Sequence, residues 1–260
     1  MNKIMLKIFI IIGITFNVSY INAVDYKVYF GGLMTPVTVS GFEDAYAVDG
    51  SWHSGFLGNK VILNLAEGNR DGLSGGMILG FKTTSLKVNP LLEIQFLPGT
   101  SIIGNVLIGP EIKLKSTGKL NLALIPKIGY GFYYHELGEL KTTVGDPLSK
   151  YVELNDGTRL NPGDKLETQS TGFVSQTVFA ATYNLIENFI SINLEVGYSF
   201  SKYSTPEVKI SRKEFLATDE EEVGSINIGD LSDEDGNSKS INPEISTTGL
   251  VTALSITIQY

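Results

Sequence analysis

The chain contains two histidines, and each has neighbours that could take part in hydrolysis. His53 lies between Trp52 and Ser54, and His135 precedes Glu136. A Ser-His-acid or His-acid site requires such groups to converge on a nucleophile or a water molecule. No local motif brings them together. We therefore expect histidines at the surface or rim, no catalytic residues and no enzyme.

A second group is the acidic stretch Thr218–Ser238, which holds eight carboxylates and no Lys or Arg. Asp233 and Asp235 could offer oxygen ligands to a divalent cation. The stretch fails the twelve-residue calcium-loop pattern, because Leu231 stands at the first ligand position and Asn242 at that of the bidentate Glu. We expect a solvated, self-repelling loop, and we predict neither a metal nor a cofactor.

A third group consists of charged residues inside otherwise apolar segments. All of them fall on the minor, polar side of an alternating pattern: Lys27, Lys82, Glu93, Glu111, Lys113, Lys127 and Glu195. Their mixed signs would let them pair if the fold gathered them into one interior, where an unpaired charge is costly. Whether they meet depends on the elements that carry them.

These elements are segments in which the dominant period is two, which places alternate side chains on opposite faces of a sheet. The clearest segment is Leu120–Tyr134. Its even-numbered positions are Leu, Pro, Ile, Tyr and Phe, whereas its odd-numbered positions are mostly Asn, Ala, Lys and Gly. Eight such segments can be counted: Tyr26–Leu33, Leu73–Thr83, Leu91–Leu97, Ile102–Leu114, Leu120–Tyr134, Thr171–Tyr183, Ile190–Lys202 and Leu250–Tyr260.

The connections between the segments differ in length. Short ones are predicted at about 84–90, 116–119 and 184–189, long ones at about 34–72, 135–170 and 203–245, and a brief one at 98–101. Short and long connections alternate, so the tight turns fall at one end of the strands, which we call the short-turn end. Eight neighbouring antiparallel strands form a meander that can close on itself and remove its edges. Long loops at one end are typical of outer-membrane barrels. The predicted fold is therefore all-β, an eight-stranded up-and-down antiparallel transmembrane β-barrel.

Alternation alone leaves open whether the apolar register points outward or inward, as in a soluble lipocalin-like carrier. Three features indicate that the apolar register points outward. The charged residues share the polar register, and the strands of about 8–15 residues bracket the length that a tilted membrane strand needs. Aromatic residues also gather at the ends of the apolar register, where they would meet the membrane interface: Tyr26, Tyr130, Phe132, Tyr134, Tyr198, Phe200 and Tyr260.

The N-terminal residues Met1–Ala23 have the order of a secretory signal peptide, with two lysines, an apolar run and a small residue at the end. The apolar run is shorter than a membrane-spanning helix, so we expect cleavage after Ala23 and a barrel over 24–260. The chain has no cysteine and a net charge of −8. Export without cysteine suggests a bacterial protein, and the acidic balance excludes nucleic acid as a partner.

With this leader, the eight segments and the final Leu254–Tyr260, the sequence resembles the small eight-stranded outer-membrane barrels of diderm bacteria, including the opacity-type surface antigens. The resemblance covers the pattern of the mature chain and not its residue identities. It implies a bacterial outer-membrane location, contact with outer-membrane lipid, and recognition of the last strand, which ends at Tyr260, by the outer-membrane assembly machinery. We expect a monomer.

An eight-stranded barrel has an interior only wide enough for side chains, so the mixed charges predict a closed lumen. Function then moves to the long loops. We expect them to interact with host or environmental molecules, or to serve the structure of the outer membrane. The alternatives are a narrow channel for small solutes, a lipid-modifying barrel enzyme and the soluble carrier.

Overall fold

The computed structural model describes residues 26–40, 45–52, 60–64, 70–84, 88–99, 101–139, 152–154, 159–161, 163–187, 189–213, 220–227, 231–232 and 244–259. These ranges hold sixteen strands: β1 (Tyr26–Ser40), β2 (Ala45–Trp52), β3 (Lys60–Asn64), β4 (Arg70–Thr83), β5 (Val88–Leu97), β6 (Ile102–Thr117), β7 (Leu120–Glu139), β8 (Val152–Leu154), β9 (Arg159–Leu160), β10 (Lys165–Ile186), β11 (Ile190–Tyr203), β12 (Glu207–Lys213), β13 (Glu220–Asn227), β14 (Leu231–Ser232), β15 (Glu244–Ser246) and β16 (Gly249–Gln259). Within the same ranges no helix has the length and hydropathy to cross a bilayer.

Eight long strands close into a ring. Their order is β11, β16, β1, β4, β5, β6, β7 and β10, and β10 pairs with β11 again. All of these pairs are antiparallel. Strands that follow one another around the ring also follow one another along the chain, so the predicted eight-stranded up-and-down antiparallel barrel is confirmed.

The register fixes the tilt of the strands. We followed the paired residues from strand to strand around the ring, starting at Lys27 on β1. This path returns to β1 at Val37, ten residues further along the chain. With a rise of about 3.3 Å per residue and a strand separation of about 4.8 Å, this offset corresponds to a tilt of roughly 41°. The value lies within the range for membrane barrels.

The short connections are close to those predicted, whereas the long ones contain more structure than the sequence indicated. β1 continues to Ser40 and β7 to Glu139, and β10 begins at Lys165. Beyond the ring, β12 and β13 extend the wall from β10, and β15 pairs with β1. A separate small sheet joins β2 with β3, β8 and β14, and β9 with β8. The predicted signal peptide, His53 and Tyr260 lie outside the described residues.

At the level of β11 the wall is apolar outside and polar inside. The outward residues are Ile190, Ile192, Leu194, Val196, Tyr198 and Phe200, and the inward ones are Ser191, Asn193, Glu195, Gly197, Ser199 and Ser201. The outward chains of β11 from Ile192 to Phe200 expose between 37% and 59% of their surface. The outward register of the other ring strands is exposed in the same way, as at Phe30, Met77, Ile128 and Leu254. We call this surface the outer apolar band.

The polarity of the wall reverses beyond β11. β12 continues the wall after residues 204–206, and its inward Val208 and Ile210 are buried while its outward Glu207 is exposed. At this end many of the buried side chains are apolar, and His135 and Thr168 are buried beside them. We call the apolar ones the loop-end apolar layer: Val37, Val39, Leu97, Ile103, Tyr133, Leu137, Leu166, Val208, Ile210 and Ile245.

Candidate functional site

Lys127 is the centre of the polar interior. Its Nζ donates to Glu93 Oε2 at 2.7 Å and to Glu195 Oε2 at 2.8 Å. Lys127 lies on β7, Glu93 on β5 and Glu195 on β11, so one ammonium group joins three strands across the lumen. Because both carboxylates and the ammonium are almost completely buried, the geometry of this ion triad must compensate for the loss of hydration.

Neighbouring polar groups complete the coordination of the two carboxylates. Tyr29 Oη donates to Glu93 Oε2 at 2.7 Å, and Gln95 Nε2 donates to Glu93 Oε1 at 2.7 Å. Asn193 Nδ2 donates to Glu195 Oε1 at 2.8 Å. Each of the four carboxylate oxygens therefore accepts at least one hydrogen bond, which is the condition under which a buried charge is tolerated.

An amide cluster continues the network towards the loop end. Gln95 and Gln176 exchange hydrogen bonds of 2.9 and 3.1 Å, and Asn105 Nδ2 donates to Gln95 Oε1 at 2.9 Å. Tyr203 Oη donates to Asn105 Oδ1 at 3.3 Å. We use the name polar lumen network for the eight residues Tyr29, Glu93, Gln95, Asn105, Lys127, Gln176, Asn193 and Glu195, none of which exposes more than 4% of its surface.

Glycines make room for the two tyrosines that cross the lumen. A Cβ atom at Gly80, opposite Tyr29 on β4, would overlap the Tyr29 ring. A Cβ atom at Gly131 would overlap the hydroxyl end of Tyr203. The absence of side chains at these two positions lets each tyrosine reach a hydrogen-bond acceptor on another strand, so the glycines help to position the network.

The structure brings five of the seven predicted lumen charges into the interior. Glu93, Lys127 and Glu195 form the triad, and Lys82 pairs with Glu111, both buried. Lys82 also lies over the Tyr29 ring, 5.8 Å from its centroid. The other two predicted charges, Lys27 and Lys113, are only partly buried. Lys27 is half-buried at the start of β1, and Lys113 lies at the short-turn end, where its Nζ donates to the carbonyl of Thr84 at 3.0 Å.

Six of the seven predicted interface aromatics lie within the described residues, all in the outward register. Tyr26, Tyr130, Tyr198 and Phe200 are exposed. Phe132 is half-buried because its ring packs over Gly104 on β6, and half-buried Tyr134 donates to Glu167 Oε1 at 2.7 Å. Tyr134 therefore lies where the outward face turns from apolar to charged.

The prediction from the sequence missed the uncharged members of the polar lumen network. Gln95, Asn105 and Gln176 occupy the same inward register as the predicted charges, and that register was the available signal. It also missed the loop-end apolar layer, since it assigned a polar interior to the whole barrel. That expectation is corrected: the interior is polar around Lys127 and apolar around Ile103 and Ile210.

Of the residues considered for catalysis and metal binding, His135 and Glu136 lie in the described part of the chain, whereas His53, Ser54, Asp233 and Asp235 lie outside it. His135 is buried opposite Thr168 of β10, not at the surface or rim as predicted. This follows from its position in the inward register of β7, two residues beyond Tyr133. In the described ranges no group of three or more His, Cys, Asp or Glu side chains is arranged to hold a metal ion.

An ion pair between Arg212 and Asp164 fastens β12 to the start of β10. The Arg212 guanidinium on β12 donates from Nε and Nη2 to the two carboxylate oxygens of Asp164, both at 2.7 Å. Asp164 is buried just before β10 begins, and its Oδ2 also accepts from the backbone NH of Asn161 at 2.7 Å. This hydrogen bonding to Asp164 raises the pKa of Arg212 above its usual value.

No protein-family model and no curated protein matches the chain. Among solved structures, the chain is similar to a major outer membrane protein from Thermus thermophilus, with 14% identity, a TM-score of 0.41 and coverage of 92% of this chain and 100% of that one. It is also similar to the outer membrane protease OmpT from Escherichia coli, with 8% identity, a TM-score of 0.34 and coverage of 92% and 97%.

The second match corrects the prediction that the chain is not an enzyme. OmpT is a protease, so similarity to outer-membrane barrels includes similarity to an enzyme. At 8% identity the match assigns no activity to this chain. Neither structure is described as an opacity-type surface antigen, so that finer resemblance stays a prediction.

Proposed function

We propose that the protein is an outer-membrane β-barrel that displays its long connections at the cell surface, for interaction with host or environmental molecules or for outer-membrane structure. The reversal of polarity along one continuous wall carries the proposal. β11 turns apolar side chains outward, whereas β12 turns them inward. Such a reversal is expected where the surroundings of the wall change from hydrocarbon to water.

The dimensions of the outer apolar band support a membrane as that hydrocarbon. On β11 the band runs from Ile190 to Phe200. Ten residue steps at a tilt of about 41° give a height of roughly 25 Å, which is the height of the apolar band in outer-membrane barrels. Tyr198 and Phe200 lie at its loop end, where aromatic rings favour the membrane interface.

The polar lumen network favours an anchor over a pore. Its side chains join six strands of the ring and are almost inaccessible, which leaves the ion triad without a hydrated path beside it. The ordered structure beyond the ring favours a display function. It consists of β12 and β13 and of the second sheet, and the ion pair between Asp164 and Arg212 holds β12 to the start of β10.

Display can be tested with two engineered protease sites. One is inserted in the connection between β7 and β10, after Gly145, and the matched control in the two-residue turn at Gly118. We expect both variants in the outer-membrane fraction. Protease added to intact cells should cut the first variant, and the second only after permeabilisation. Recovery in the soluble fraction, or cleavage of the Gly118 site on intact cells, would contradict the proposal.

The narrow channel makes a different prediction for the purified protein in a planar bilayer. A closed lumen gives no conductance steps at moderate voltage. Reproducible steps that change when Lys127 is replaced by Gln would assign the lumen a transport role and would remove the anchor.

A further inference from the structure

Two neighbouring turns at the short-turn end form one surface. The backbone NH of Asn184, near the end of β10, donates to the carbonyl of Lys119, just before β7, at 2.8 Å. Asn184 Nδ2 also donates to the carbonyl of Gly118 at 3.3 Å. We call the combined residues 113–120, 184–187 and 189 the turn surface.

The turn surface exposes large apolar side chains where tight turns in water usually carry polar ones. Five of them expose between 41% and 57% of their surface: Leu114, Leu120, Leu185, Ile186 and Phe189. Leu120 pairs across the strands with Tyr183, which belongs to the outer apolar band. The apolar surface therefore continues without a break from the band onto the turns.

The turn surface is also basic, although the chain is acidic. It holds Lys113, Lys115 and Lys119, with Glu187 as its only acidic residue. Lys115 lies opposite Leu122 on the outward face, and both Lys115 and Lys119 are exposed. The segments 34–72, 135–170 and 203–245 hold 23 of the 28 acidic residues but only 10 of the 20 basic ones. The two ends of the barrel thus differ in sign.

We propose that the turn surface binds anionic phospholipid headgroups in the leaflet at the short-turn end, an inference that rests on the proposed membrane location. The exposed leucines, Ile186 and Phe189 reach the acyl region, while Lys115 and Lys119 extend to the phosphate level. Continuity with the outer apolar band favours lipid over a protein partner. The positive charge favours anionic lipid over zwitterionic lipid.

The test uses a tryptophan reporter and brominated lipids, which quench tryptophan on contact. Trp52→Phe removes the one native tryptophan. Phe189→Trp then reports on the turn surface, and Tyr130→Trp is the control in the outer apolar band. Both are examined in vesicles of phosphatidylcholine with phosphatidylglycerol, and either lipid is brominated in turn.

At position 189 we expect phosphatidylglycerol to associate more strongly than phosphatidylcholine, by up to about fivefold for each lysine. At position 130 we expect no preference. The preference at 189 should fall to about one in Lys115→Gln/Lys119→Gln. It should persist in Lys115→Arg/Lys119→Arg and in the loop-end control Lys202→Gln.

The outcomes that overturn the inference differ from those that overturn the membrane location. Quenching at both positions without a lipid preference at 189 removes the headgroup site alone. Quenching at 130 but not at 189 means that the turn surface lies outside the lipid, which also removes the headgroup site alone. Absence of quenching at both positions overturns the membrane location itself.

Discussion

β11 and β12 lie on the same wall, one after the other, and their side chains follow opposite rules. On β11 the leucine, isoleucine and valine residues face outward and a glutamate faces inward. On β12 Val208 and Ile210 face inward, and Glu207 faces outward. Both are regular strands with the same period, so the pattern of alternation does not distinguish them. The difference lies in the surroundings, which decide which register is buried.

The interior differs between the two regions as well. Behind β11 the interior contains the polar lumen network together with buried apolar side chains such as Ile125 and Val178, whereas behind β12 the loop-end apolar layer predominates. Where the outside is hydrocarbon, burying apolar side chains inside gains nothing, and the polar groups are enclosed and satisfied within the barrel. Where the outside is water, the interior becomes an ordinary hydrophobic core. The outer-membrane barrel therefore carries, at its loop end, an extension of its wall with the opposite polarity.

The largest effect is expected from breaking the polar interior at Lys127. Lys127→Met leaves Glu93 and Glu195 buried without their shared cation, and we expect a loss of about 3–5 kcal/mol in unfolding free energy. The measurement is urea unfolding of the protein in lipid vesicles.

A triple variant is the control for Lys127→Met. Adding Glu93→Gln and Glu195→Gln removes both uncompensated charges, and stability should largely return. If the single and triple variants are equally destabilised, the loss comes from packing and not from charge.

The outward face of β11 should be nearly as sensitive to charge. Leu194 lies near the middle of the outer apolar band, so Leu194→Arg should cost about 2–4 kcal/mol in vesicles. Val223 on β13 is an exposed apolar residue beyond the ring, and Val223→Arg should change stability by less than about 0.5 kcal/mol. Equal effects at the two positions would remove the distinction between hydrocarbon and water as surroundings of the wall.

The sequence was sufficient for the ring and for the direction of its side chains. Period two identified the eight segments, and the confinement of Lys127 and Glu195 to one register indicated which face is enclosed. The sequence could not show which of the charged residues contact one another. The contact of Lys127 with Glu93 and Glu195 depends on the offset of ten residues around the ring, and that offset arises from all eight strand pairings together.

The loop-end structure was less accessible to prediction from the sequence for a physical reason. Residues 207–211 alternate between polar and apolar side chains like part of a ring strand, but their polarity has the opposite sense. A strand prediction that requires the outward register to be apolar ends at the residue where that register becomes charged. The continuation of the wall was therefore assigned to long loops, although β1, β10 and β12 carry regular pairs there.

An intermediate effect is expected at the junction of the two regions. Asp164→Asn removes the carboxylate that accepts two hydrogen bonds from Arg212, and bonds to charged groups of this kind contribute about 1.5–3 kcal/mol. The loss should be local, because the ring does not depend on Asp164.

Hydrogen exchange should show this local loss as faster exchange in β12 with unchanged protection in β11. Arg212→Gln leaves the buried Asp164 carboxylate without its cation, so its effect should be at least as large, and it should add nothing to Asp164→Asn in the double variant. Uniformly faster exchange in both strands would mean that the ring and its extension unfold as one unit.

The smallest effect is expected for a solvent-exposed ion pair that has the same chemical groups, a lysine and a glutamate, as the buried triad. Lys209 on β12 pairs with Glu222 on β13 at 3.0 Å, and 56% of the Glu222 side chain is exposed. Glu222→Gln should cost less than about 1 kcal/mol, and added salt should abolish the difference. The loss at Lys127 should persist in the same salt, because the buried triad is not screened. A salt-sensitive Lys127→Met effect would place that triad in contact with water and would open the lumen to ions.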